Sequence, residues 1–115
     1  LGESGSGDLL EVASYILTHK EQMKLYTLKE VTKNFQENAK VKEQRMRRAI
    51  TVGLSNLAHL GIEDNLNENF LEYSNTLYSF EQIKKEMDYI RGKSGVRGKV
   101  NLKKFIDGLI YYCEK

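Results

Sequence analysis

The run Thr27-Leu-Lys-Glu-Val-Thr-Lys-Asn-Phe-Gln-Glu-Asn-Ala-Lys-Val-Lys-Glu-Gln-Arg-Met-Arg-Arg-Ala-Ile-Thr-Val-Gly-Leu-Ser-Asn-Leu-Ala-His-Leu-Gly61 decides the fold. Its opening Thr27-Leu28-Lys29-Glu30 has capping-box form, in which the hydroxyl accepts from the Glu30 amide and the carboxylate reaches back. Leu28, Val31 and Phe35 then make an apolar stripe, so the spacing predicts a helix from 28 to about 37. Gln36–Lys40 carries no apolar residue larger than alanine and breaks the stripe. Helical periodicity resumes at once and runs to Gly61, giving helix, short turn, helix.

At 100° per residue, the second helix, 41–60, gathers Met46, Ala49, Ile50, Gly53, Leu54, Leu57 and Leu60 into one arc, which must face a core. The opposite face carries Gln44, Arg45, Arg48, Thr51, Val52 and Ser55, with Lys42 and Arg47 on the flanks. A helix laid in a major groove presents such residues to base edges: Arg bidentate to guanine, Gln to adenine, and Thr or Val methyls against the thymine methyl. The competing account is a solvated helix face. Three arginines and two lysines within nine residues, directly after a turn, weigh against it, because solvated faces interleave acids. Gly53 on the buried side lowers helix propensity by up to about 1 kcal/mol relative to alanine, which predicts a close helix crossing there.

The charge distribution extends this pattern. The net charge is only +2, yet residues 39–48 and 91–104 hold eleven of the 18 bases, while 62–90 has seven acids and two lysines. A basic surface on one side suits a polyanion. Between 92 and 100, Gly92, Gly95 and Gly98 interleave Lys93, Arg97 and Lys99, which predicts a mobile basic loop lying on phosphates, or a surface loop with incidental charge.

With no proline and helical periodicity through most of its length, the chain is expected to be all-α, a single helical domain of about six helices containing the helix-turn-helix. Asp8 is a candidate N-cap for a helix over 8–19 with Leu9, Val12, Ala13 and Ile16 on one face. A short turn or helix covers 21–26. Further helices are predicted at 66–76, at 80–92 with Ser79 and Gln82 as a capping box, and at 102–114 capped by Asn101. Leu1–Gly7 reads as a flexible linker or cloning remnant, leaving 8–115 as the domain.

Several chemistries lack a basis. At 115 residues, 40% hydrophobic and 30% charged, the chain is globular rather than disordered, and no apolar run approaches the roughly 20 residues that span a bilayer. The lone Cys113 makes no internal disulfide and no leader precedes the first helix, so a cytoplasmic setting is expected. His19 and His59 are far apart and lack cysteine partners, so no metal is expected. Cys113 reads as a buried or semi-buried thiol, and Glu63, Asp64, Glu68 and Glu72 as a solvated face. Neither a phosphate loop nor a serine elbow is present, so neither catalysis nor a cofactor is expected. Leu109-Ile110-Tyr111-Tyr112, with Tyr15 and Ile16, either fills the core or forms a homodimer contact on DNA.

The segments Leu28–Phe35, Glu43–Ile50, Leu60-Gly-Ile-Glu-Asp64, Glu86-Met-Asp-Tyr-Ile-Arg91 and Lys99–Ile106 resemble the C-terminal effector domain of YcbB-type two-component response regulators. The resemblance covers nearly everything after Gly7. It implies an upstream receiver domain phosphorylated by a histidine kinase, and an association with glutamine-dependent control of transport and utilisation genes. More distantly, Arg47-Arg-Ala-Ile50 and the last helix are similar to the DNA-binding domain of the sporulation master regulator of Gram-positive spore formers. Relative to that domain, the chain has an extra helix near 80–92, and its inter-helix turn lacks glycine, so half-site geometry does not transfer.

The expectation is therefore a non-enzymatic binder of double-stranded DNA. Gln44, Arg45, Arg48 and Thr51 are expected on bases, and Lys42, Arg47, Lys93, Arg97 and Lys99 on phosphates. An RNA-binding module and a protein-interaction domain with a basic face are the alternatives. Neither basic segment holds the aromatic platforms that single-strand recognition uses.

Overall fold

A computed structural model describes residues 4–18 and 39–114. Among the described residues, the regular elements are all helical: α1 (Ser4–Thr18), α2 (Ala39–Glu63), α3 (Glu68–Thr76), α4 (Phe80–Ile90) and α5 (Leu102–Glu114). The predicted helix over 28–37, its Thr27 capping box, the segment 21–26 and His19 lie outside the described residues, as do the side chains of Tyr15, Ile16 and Cys113.

The axis of the domain is α2. Its 25 residues correspond to roughly 37 Å of helix, most of the 43 Å long dimension of the molecule. Met46, Ala49, Ile50, Leu54 and Leu57 recur at helical spacing and are buried, as the arc at 41–60 predicts; Gly53 and Leu60 of that arc are only partly buried, and Ala58, outside it, is buried as well. Helices α1 and α4 make the most extensive packing on α2, and α5 closes the assembly against α1, α2 and α3. Ile83, Phe105 and Ile106 complete one continuous core with Leu9 and Val12 of α1.

Local chemistry sets the helix ends. Asn67 caps α3, its Oδ1 accepting from the amides of Asn69 (2.9 Å) and Phe70 (3.3 Å). Asn101 caps α5 as predicted, accepting from the Lys104 amide at 3.0 Å. The capping box expected at Ser79 does not form. Ser79 is extended and makes no side-chain cap bond, while its carbonyl accepts from Gln82 and Ile83. The Gln82 side chain is used elsewhere, as shown below. Helix α4 stops in a Schellman motif: Gly92 sits at φ +77°, its amide bonds the Tyr89 carbonyl and the Lys93 amide bonds that of Asp88.

Gly53 has a different neighbour from the predicted helix crossing. Tyr78, from the turn between α3 and α4, lies over it, donating its hydroxyl to the Ile50 carbonyl at 2.7 Å and setting its ring edge-on to Phe105 at 5.4 Å. A Cβ on Gly53 would stand 2.5 Å from the Tyr78 hydroxyl oxygen. Burial pushes the phenol far above its ordinary pKa, so it remains a neutral donor. Gly53→Ala should therefore destabilise the domain by about 1–2 kcal/mol. Displacing the tyrosine and weakening a buried hydrogen bond outweigh the gain in helix propensity. A thermal melt that rises would show that Tyr78 yields without loss.

Candidate nucleic-acid interface

The outward face of α2 presents Gln44, Arg48, Thr51 and Val52 to solvent, with Ser55 partly covered. Arg48 and Gln44 make no hydrogen bond or ion pair among the described residues, so their polar ends are available to a ligand. Thr51 donates its hydroxyl to the Arg47 carbonyl at 2.7 Å, one turn back along its own helix. Arg47 is exposed and shares an i,i+4 ion pair with Glu43 at 3.1 Å, a contact weak enough for a phosphate to displace.

Arg45, expected on this face, and Lys42, expected on its flank, are drawn away from it. Lys42 is only 3% exposed, its ammonium 3.1 Å from Asp8 and 3.3 Å from Glu11 of α1. Arg45 grips the same Asp8 carboxylate with Nε at 2.9 Å and Nη2 at 3.2 Å. Arg45, expected on a base, and Lys42, expected on a phosphate, instead form a junction between α1 and the start of α2 in this structure. The reason lies in α1, which starts at Ser4 rather than at residue 8. Asp8 is then inside the helix and beside the Leu9–Val12 stripe, where a buried carboxylate requires cations. Burial alone would raise the Asp8 pKa, but the hydrogen bonds from Arg45 and Lys42 outweigh it and hold the carboxyl below its ordinary value. Lys42 shows the mirror case: desolvation would lower its pKa, while Asp8 and Glu11 raise it.

The basic loop is moored rather than free. Glu86, 1% exposed on α4, accepts from the Arg97 guanidinium (2.7 and 3.4 Å) and from the Gly98 amide (3.1 Å). Gln82, missing from the capping box, accepts from the Lys99 amide at 2.8 Å. Arg97 also lies over the Tyr89 ring, 4.8 Å from its centroid. A Cβ on Gly98 would touch Leu54 at 3.2 Å, so the loop lies alongside the middle of α2, next to the turn that carries Thr51 and Ser55. Arg97 is committed to Glu86 with half its side chain still exposed, whereas Lys93 and Lys99 are exposed.

The family model described as the YcbB domain matches residues 1–109. The chain belongs to this family. The YcbB domain here is also 28% identical, over 127 aligned positions, to the transcriptional regulatory protein GlnL of Bacillus subtilis strain 168, covering 92% of this chain and 40% of that protein. It thus spans about two fifths of the length of that relative. No solved structure matches it.

Sequence reasoning missed the part that two buried acids, Glu86 and Asp8, play in this YcbB domain. Glu86 had a signal: it falls within the apolar arc of Ile83, Met87 and Ile90 on α4, where an acid must find partners. Asp8 had the same signal once the helix is extended upstream. Glu63, Asp64, Glu68 and Glu72 are solvent-exposed, as predicted. At the C-terminus Leu109 and Ile110 pack on the core. Tyr112 bonds Thr76 at 2.8 Å and stacks edge-on with Tyr73, leaving Tyr111 as the exposed ring of the group. Among the described residues no His, Cys, Asp and Glu cluster could hold a metal, and no helix is long and apolar enough to cross a membrane.

Proposed function

We propose that this domain binds double-stranded DNA as the output part of a two-component transcriptional regulator. In this reading α2 is the recognition helix of a helix-turn-helix. The observation that carries the reading is the outward face of α2, where Arg48 and Gln44 are exposed and, among the described residues, without a hydrogen-bond or ion-pair partner beside Thr51 and Val52. These are the donors, acceptors and methyl groups that base edges match in a major groove. The face is narrower than the sequence implied, because Lys42 and Arg45 serve Asp8 instead. Arg47, Lys93 and Lys99 supply phosphate contacts, and Arg97 mainly positions the loop that carries Lys99. The regulatory role fits the similarity to a transcriptional regulatory protein. A receiver domain, phosphorylated by a histidine kinase in the cytoplasm, would supply the input.

Fluorescence anisotropy with pooled duplex at about 50 mM salt tests the reading, since backbone contacts dominate non-specific affinity and weaken with salt. Binding should be measurable and should fall steeply as salt rises. Lys99→Ala should weaken binding to all duplexes alike and flatten the logarithmic salt slope by about one unit. No binding at low salt, or a clear preference for structured RNA, would refute the proposal.

A further inference from the structure

At the far end of α2 from Arg48, a groove of about 630 Å³ opens between the α2 terminus, α3 and α4. Phe70 and Met87 line it, and Leu71 and Phe80 stand at its sides 49% and 48% exposed. The end of α2 contributes Glu63, followed by Asp64, whereas α4 contributes Lys84 and its C-cap Arg91. Glu63 and Lys84 have no ion-pair partner among the described residues, and Arg91 reaches only Asp88, at 4.0 Å. The groove therefore combines an apolar strip with one acidic and one basic wall, in which Glu63 and Lys84 have no ion pair among the described residues and Arg91 has only the long contact to Asp88.

We propose that this groove is the docking surface for a second copy of the chain, related by a two-fold axis running along it. A partner of a single charge sign would satisfy one wall and be repelled by the other. A second copy carries both walls, and the two-fold operation sets each acidic wall against the partner's basic wall while Leu71 and Phe80 of the two copies meet between them. Self-complementarity of this kind is the geometric requirement of an isologous contact. Docking there leaves the DNA-reading face open in both copies: Gly61 lies thirteen residues from Arg48, roughly 20 Å along α2, and points about 140° away around the helix.

The pairing is measured without DNA, so its failure would leave the DNA-binding reading standing. Sedimentation equilibrium of the chain, from micromolar to near-millimolar concentration, should show a monomer–dimer equilibrium. Leu71→Glu, at a half-exposed helix position, should keep the helical circular dichroism and melting temperature while shifting the dissociation constant at least about tenfold. Glu63→Lys and Lys84→Glu should each weaken self-association, because each sets like charges across the axis. An equimolar mixture of these two variants should associate again, since both contacts in the mixed dimer pair opposite charges. A monomer throughout the range, an unchanged constant in Leu71→Glu, or no recovery in the mixture would overturn the proposal.

Discussion

Asp8→Ala is expected to lower the unfolding free energy by about 3 kcal/mol. Asp8 is 6% exposed and neutralises Lys42, itself 3% exposed, while also holding Arg45. Removing one partner of a buried pair leaves a desolvated charge, and such losses run to about 3–5 kcal/mol. Glu11, half exposed and 3.3 Å away, retains part of the compensation, which places the expectation at the lower end. Asp8→Asn keeps the shape but not the charge, and should recover little of the loss.

The pH dependence follows from the direction of the two shifts. The folded pKa of Asp8 lies below its ordinary 3.8, so its contribution is present above that value and is lost as pH falls through it towards the folded pKa. The folded pKa of Lys42 lies above 10.5, so its contribution is complete below that value and is lost as pH rises through the folded pKa. The stability difference between wild type and Asp8→Ala should be flat from about pH 5 to 9 and shrink on either side. Urea denaturation across this range checks both points. A difference under about 1 kcal/mol at neutral pH would mean that the junction exchanges freely with water.

Arg48→Ala is the second large effect, and it falls on binding alone. The side chain is exposed and has no partner among the described residues, so the melting temperature should not change. Affinity for a preferred duplex should fall by about 1–3 kcal/mol, roughly 5- to 150-fold, with a much smaller loss on random duplex. Equal losses on both would place Arg48 on a phosphate instead of a base.

The two variants also mark where sequence pattern was sufficient and where it was not. The apolar arc of α2 and the Asn101 cap were legible because each depends on spacing within one element. The same reading separated the buried stripe of Met46, Ala49, Ile50, Leu54 and Leu57 from the exposed Gln44, Arg48, Thr51 and Val52. It could not tell which cations on the exposed side were already spoken for, because the partner of Lys42 and Arg45 lies more than thirty residues away on α1. Asp8 was misread as a cap for a related reason. A carboxylate near the expected start of a helix has the same local appearance whether it caps that helix or lies inside a longer one. The loop at 92–100 shows the limit most clearly: three glycines and three cations predicted mobility, whereas the buried Glu86 carboxylate and the Gln82 amide of α4 hold it against α2. Gly53 signalled a close approach, but the sequence did not reveal that a tyrosine ring rather than a helix backbone fills the space.

The most direct measurement is selection of bound sequences from a random duplex pool, using the folded domain and its Arg48→Ala variant in parallel. The proposal predicts that the domain enriches a defined motif and that Arg48→Ala loses preference at particular positions of it while still retaining DNA at low salt. Recovery of a pool indistinguishable from the input, or an identical motif with the variant, would contradict the assignment of the outward face of α2 as the surface that reads sequence.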